Sequence, residues 1–177
     1  MSVPEFRTTT PSDAPALTTL YRETFPEEDL LPVVLELLAE PCDVLSLVVA
    51  DGAELCGHLA FASCSVAQDP TKLSLLAPLG ISPARQRQGL GTTLVQEGLD
   101  RLRQTGTEIV LVLGDPNYYS RFGFKPEDRI LPPYDIPVEW AGAWQSLHLA
   151  QVHAWPQGRL QVLKPWQDPA YWVSTDQ

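Results

Sequence analysis

Gly80-Ile81-Ser82-Pro83-Ala84-Arg85-Gln86-Arg87-Gln88-Gly89-Leu90-Gly91-Thr92 joins the end of an apolar run to the start of an amphipathic one, and it decides the fold. Residues 72–81 read as a strand running toward the middle of a sheet, and residues 89–104 as the clearest helix of the chain. In that helix Leu90, Leu94, Val95, Leu99 and Leu102 form one apolar stripe, Gln96, Glu97, Asp100, Arg101 and Arg103 fall largely outside it, and Gly106 ends it. A strand that switches to a helix through glycines leaves several main-chain amides of the first turn unpaired and pointing the same way. Those amides and the helix dipole make an anion site, beside which Arg85 and Arg87 offer charge-assisted contacts to a phosphate. The turn lacks the Lys-Ser/Thr ending of a triphosphate loop and the Gly-x-Gly-x-x-Gly spacing of a dinucleotide site.

Downstream, Ile109-Val110-Leu111-Val112-Leu113 is a continuous apolar run, the mark of a strand buried on both faces. Residues 72–113 therefore read as strand, helix, strand, a right-handed crossover that sets two parallel strands near one another. Pro78 removes a ladder donor, so the first of these strands must be irregular, at an edge, or unpaired on one side near that point. Upstream lie a short strand around residues 3–7 and a helix after Pro15 with Ser12 or Asp13 near its cap. A second short helix over 30–39 presents Val34, Leu35, Leu37 and Leu38. Residues 44–50 and 54–64 form strands about the hairpin turn Asp51-Gly52. A short helical turn is expected over 117–121, and strands over 143–152 and 158–164 close a Pro- and Trp-rich tail.

The 177 residues carry 44% hydrophobic and 19% charged side chains, with no linker or internal repeat, so a single domain over 1–177 is expected. Twelve basic against 22 acidic residues give a net charge of -10, which repels a phosphate backbone and argues against nucleic acid as a partner. No run of 18 uncharged apolar residues and no secretory pattern after Met1 are present, so no membrane partner and a cytoplasmic location are expected. Cys42, Cys56 and Cys64 have no metal-like pairing; each falls among apolar residues and reads as a reduced core hydrophobe, with no metal expected.

Gln86, Gly89 and Gly91 match the Gln/Arg-x-x-Gly-x-Gly/Ala signature of the GCN5-related N-acetyltransferase (GNAT) superfamily, which the chain resembles over nearly its whole length. The stretch from Val112-Leu113-Gly114-Asp115-Pro116 through Asn117-Tyr118-Tyr119-Ser120-Arg121-Phe122-Gly123-Phe124 looks like the YhbS-like group of bacterial acetyltransferases. The resemblance implies an α/β GNAT acyl-CoA N-acyltransferase fold, a mixed central sheet with helices on both faces and splayed parallel fourth and fifth strands. It also implies acetyl-CoA as co-substrate. The acceptor is then an amine on a small molecule or a protein. Dimerisation is common in the superfamily.

By the same resemblance the pyrophosphate sits on Gln86, Arg87, Gln88, Gly89, Leu90, Gly91 and Thr92, the pantetheine arm enters where the parallel strands part, and amides at Leu79, Gly80 or Ile81 stabilise an oxyanion. An amine of solution pKa near 10.4 must lose a proton before it attacks, and the departing thiolate must gain one. The resemblance makes Tyr119 that acid, with its neighbour Tyr118 as the fallback. Asn117 either contacts the cofactor or caps the short helix after Pro116. No general base is legible: Glu23, Glu27 and Glu28 lie where this fold shapes its acceptor pocket, and His58 faces either that pocket or the core. The competing readings are an acyltransferase with another acyl donor or a hydroxyl acceptor, and a non-catalytic acyl-CoA-binding sensor.

Overall fold

In the computed structural model, which describes residues 2–173, the strand-helix-strand crossover is realised as β4 (Leu73–Ile81), α3 (Leu90–Gln104) and β5 (Ile109–Leu113). Before it come β1 (Glu5–Thr8), α1 (Ala14–Thr24), α2 (Leu31–Leu38), β2 (Val44–Asp51) and β3 (Glu54–Val66). After it come α4 (Pro116–Tyr119), β6 (Lys125–Pro126), β7 (Ile130–Leu131), β8 (Trp144–His148) and β9 (Gly158–Gln161). The chain divides into two units, one taking the residues up to Phe61 together with Ala77–Arg101, the other Ala62–Leu76 and everything from Leu102 onward.

In the first unit the strands run in the order β1-β2-β3-β4. β1 pairs antiparallel with β2 from Glu5 opposite Ala50 to Thr8 opposite Leu47, and Gly52, at φ 62°, turns β2 into β3. Asp13 stands at the N-cap position of α1 but makes no side-chain bond to that helix; its carboxylate instead accepts from the Thr10 N–H at 2.7 Å and from both terminal nitrogens of Arg7 at 2.8 Å. That pairing holds the Asp13 carboxyl down at about 2. α1 and α2 bury Leu17, Leu20, Tyr21 and Val34 against Val48, Ala50 and Leu55. α3 presses on β3 so closely that a Cβ at Gly98 would stand 2.3 Å from the Phe61 ring, which leaves glycine as the only fit there.

In the second unit the order is β3-β4-β5-β8-β6, with β9 beside β3 and β7 beside β9. β5 is antiparallel to β8 from Ile109 opposite His148 to Leu113 opposite Trp144. The parallel ladder of β4 and β5 is confined to Leu73, Leu75 and Ser74 facing Ile109, Leu111 and Val110. It ends ahead of Pro78, which has no N–H to donate and follows a cis peptide bond. The irregularity expected of Pro78 is thus present. Ile109, Val110, Leu111 and Val112 are buried, as their uninterrupted run requires. Trp144, Trp166 and Trp172 close the core of this unit, with the Trp144 indole N–H donated to the Ile130 carbonyl at 2.7 Å.

Two expectations are corrected. Cys42 is exposed, because it lies in the turn after Pro41 rather than on a packed face; Cys56 is buried and Cys64 partly so. On α2 the apolar face is narrower than its composition suggests, with Val33, Val34 and Leu37 inside and Leu35 outside.

Candidate cofactor and active site

β4 ends at Ile81, and Pro83–Arg85 form a single 3-10 turn closed by the Arg85 N–H on the Ser82 carbonyl at 2.8 Å. Gln86 is extended, Arg87 is left-handed at φ 62°, and Gly89 is left-handed at φ 81°. Left-handed residues at such spacing are what let successive N–H groups turn to one side in a concave anion-binding nest, and Arg87 and Gly89 supply two of them here. Among the described residues no protein acceptor takes the main-chain N–H of Gln86, Arg87, Gln88, Gly89, Leu90 or Gly91. The Thr93 N–H, by contrast, closes a turn of α3 on the Gly89 carbonyl at 3.0 Å. A Cβ at Gly89 would point into open space, and residues 86–89 are exposed while Leu90 is buried and Gly91 and Thr92 are half-buried. The turn at the head of α3 is therefore open, with main-chain donors that the protein itself leaves unused.

The loop is fastened from below. The Ser82 N–H reaches the Cys56 carbonyl at 2.8 Å, the Gln86 amide returns to the Ile81 carbonyl at 3.1 Å, and the Gln88 amide to the Ala84 carbonyl at 3.4 Å. Arg85 departs from expectation. Both of its terminal nitrogens donate to one carboxylate oxygen of Asp51, at 3.1 Å each, so its charge is engaged at the β2–β3 hairpin and not offered to a phosphate. The other Asp51 oxygen accepts from the Ser2 hydroxyl, and that bond, with Arg85, holds the Asp51 carboxyl below its ordinary value. Arg87 has no partner among the described residues.

Leu79, Gly80 and Ile81 occupy the last turnless stretch of β4 before this loop. Gly80 is buried beneath Phe25, whose ring would lie 2.9 Å from an added Cβ. Phe25 also lines a cavity of about 530 Å³ at the end of α1, together with Tyr21, Arg22, Glu27, Glu28 and Asp29. The Phe25 ring is thus shared, packing on Gly80 and lining the cavity. Glu27 and Glu28 line it and Glu23 does not, and all three are exposed.

His58 belongs to the core and not to that cavity. It is 1% exposed, with Nδ1 at 2.7 Å from the Tyr21 hydroxyl and Nε2 at 2.8 Å from Ser46 Oγ, which in turn lies 2.6 Å from Thr9 Oγ1. Burial pushes its pKa down to about 3, against a weaker upward pull from Asp13. It is a neutral ring with both nitrogens engaged, which sequence alone left open.

Tyr119 and Asn117 lie in the second unit, on α4. Asp115 caps that helix by accepting the Asn117 N–H at 2.9 Å, so Asn117 is the capped residue and not the cap; its side chain is exposed. The Tyr119 ring lies against Gly114, where a Cβ would stand 2.4 Å away, and its centroid is 5.0 Å from Tyr118 and 5.7 Å from Phe124. Burial, and secondarily Tyr118, push its phenol well above the ordinary value, so it is a protonated donor at neutral pH. Its hydroxyl has no protein partner among the described residues and is not sealed from solvent. Tyr118 instead carries Arg121 over its ring at 4.3 Å.

A mixed sheet, a parallel β4–β5 pair and a glycine turn at the head of α3 define an acyltransferase class, and comparison with known proteins agrees. The Acetyltransferase (GNAT) family model matches residues 14–124, and the chain belongs to that family. It is 33% identical over 144 residues to YhbS of Escherichia coli strain K12, described as an uncharacterized N-acetyltransferase, over 81% of this chain and 82% of that one. The crystal structure of Escherichia coli YhbS in complex with CoA superposes with a TM-score of 0.83 at 28% identity, covering 95% of this chain and 94% of that one. A GNAT acetyltransferase from Brucella melitensis in complex with acetyl-CoA gives 0.76 at 27% identity, covering 93% and 99%.

Proposed function

We propose that the chain is one catalytic domain that transfers the acetyl group of acetyl-CoA to a primary amine. The observation that carries this reading is the nest of unaccepted amides at residues 86–91 with open space at Gly89. It suits a diphosphate by shape and partial charge, and Arg87 adds a full charge beside it. The CoA and acetyl-CoA complexes of the two similar structures support the same ligand here. Bound acetyl-CoA supplies an activated thioester; the residues of this chain hold and polarise it.

In this reading the main chain of Leu79, Gly80 and Ile81 receives the acyl oxygen, and Pro78 leaves the neighbouring edge of β4 free for the pantetheine amides. The cavity beside Phe25 takes the acceptor. Its three carboxylates against a single arginine favour a cationic amine. Tyr119 gives its proton to the departing thiolate, for which a phenol held protonated is suited. With His58 enclosed, the amine sheds its proton to solvent through the cavity mouth.

The test is release of free thiol from acetyl-CoA in the presence of a panel of amines. Amine-dependent release by the wild type is expected, with Tyr119→Phe lowering kcat about 100-fold and leaving CoA affinity unchanged. Binding of CoA without turnover, together with no effect of Tyr119→Phe, would establish the sensor reading instead.

A further inference from the structure

Two arginines flank the anion nest, and the structure uses them differently. Arg87 stands within the nest on a left-handed backbone, while Arg85, two residues earlier, turns away to Asp51. Both members of that pair are only 21% exposed at the side chain. Asp51 closes β2, 34 residues away in sequence, so the contact ties the tip of the β2–β3 hairpin to the base of the loop. The remaining polar side chains of the loop behave alike: Gln86 and Gln88 both return to carbonyls at its base. What stays exposed without a protein partner among the described residues is main chain and the Arg87 side chain.

A carboxylate beside a phosphate site is costly unless its charge is matched, since it repels the ligand through the same field that makes the nest attractive. Pairing with Arg85 removes that repulsion and fixes the loop at once. Resting on the reading of the nest as a diphosphate site, we infer that Asp51 is a positioning residue. Acting through Arg85, it holds the nest in its ligand-ready form, and Arg85 stays on Asp51 when CoA binds while Arg87 meets the phosphate. Preorganisation of this kind lowers the ordering cost of binding and leaves the chemistry untouched. The signature is a change in KM for acetyl-CoA without a change in kcat.

The experiment is calorimetric titration of the full chain with CoA, alongside acetyl-CoA saturation kinetics, for wild type, Asp51→Asn, Asp51→Glu, Arg85→Gln and the Asp51→Asn/Arg85→Gln pair. Asp51→Asn and Arg85→Gln are each expected to weaken CoA binding about 5- to 10-fold, the double variant no further than either single one. Asp51→Glu is expected to restore binding to within about 2-fold of wild type, and kcat at saturation to stay constant throughout. Unchanged or tighter binding in Asp51→Asn, or independent additive losses in the two single variants, would overturn the inference, because Arg85 would then be a phosphate ligand that Asp51 merely restrains. Wild type that fails to bind CoA would instead remove the reading of the nest itself, so the two failures are separable.

Discussion

The turn at residues 86–91 and the cluster around His58 are both polar assemblies of the first unit, and they are finished in opposite ways. At the turn, six main-chain donors have no protein acceptor among the described residues. Around His58, Tyr21, Ser46 and Thr9 match one another atom for atom between 2.6 and 2.8 Å. Histidine is the more versatile chemical group, yet here it is buried, neutral and fully bonded; the glycine turn, with no reactive side chain, is left open. An unmet donor in solvent costs little and gains when an anion arrives, whereas an unmet donor in the core costs its whole desolvation. Openness, not reactivity, separates the proposed binding site from the scaffold.

The sharpest way to break this contrast is His58→Leu, which strands the Tyr21 hydroxyl and leaves the Ser46 hydroxyl with Thr9 alone. A stability loss of about 3 kcal/mol or more is expected in urea unfolding, with CoA affinity of the folded protein preserved. A large affinity loss at unchanged stability would reverse the assignment. The cluster also sets an acid response. A free imidazole takes its proton near 6.5 and the buried ring near 3, so between those values the unfolded chain binds a proton that the folded chain refuses. Stability therefore falls as pH drops through that window, by about 1.4 kcal/mol per unit from this residue, and His58→Leu removes that slope.

Next in size is Gly89→Glu, the corresponding break at the open region. Side-chain bulk and negative charge would then occupy the space a phosphate needs, and φ 81° adds roughly 1 kcal/mol of strain. CoA affinity should fall about 100-fold or more, with the melting temperature lowered only by the about 2–4 °C that this backbone strain costs, since a Cβ there meets nothing. Calorimetry that finds wild-type affinity would sink the placement of the pyrophosphate.

How far the sequence discloses this contrast depends on the range of each interaction. The α3 stripe, the apolar run of β5, the Asp51-Gly52 hairpin and the signature glycines are local patterns, and each is where the chain pattern puts it. The engagement of Arg85 is not local. An arginine in a loop and an aspartate in a hairpin each read as solvated charges until folding brings them together. His58 was ambiguous for the same reason: on a strand its side chain faces one of two sides, and only Tyr21 from α1 and Ser46 from β2 decide which. In the proline-rich tail the strand expected over 158–164 is β9, at Gly158–Gln161, whereas the two-residue β7 follows from its pairing with β9 and not from residue preference.

A smaller effect tests whether the scaffold near the closed cluster depends on ion pairing. Asp13 has its carboxyl lowered from an ordinary 3.8 to about 2, chiefly by Arg7. A lowered carboxylate contributes fully above its unfolded value and loses that contribution as pH falls through about 2. Asp13→Asn should cost about 2 kcal/mol at pH 7, and the penalty should shrink as pH approaches 2. A pH-independent penalty would mean that the bonds Asp13 accepts from Thr10, and not its charge, are what it provides.

The smallest effect separates charge from backbone at the open turn. Arg87 is a non-glycine residue at φ 62°, a conformation that costs most side chains about 1 kcal/mol and glycine almost none. Arg87→Gln keeps the backbone cost and removes the cation; Arg87→Gly removes both. If the nest is mainly amides with one helping charge, both variants should weaken CoA binding about 3- to 5-fold, as expected of a partly exposed ionic contact. Both should also flatten the fall of affinity with added salt. Arg87→Gly alone should raise the melting temperature slightly. A loss as large as that of Gly89→Glu would instead make the site a cationic one with incidental amides, and its openness would then be a consequence of the arginine and not of the glycines.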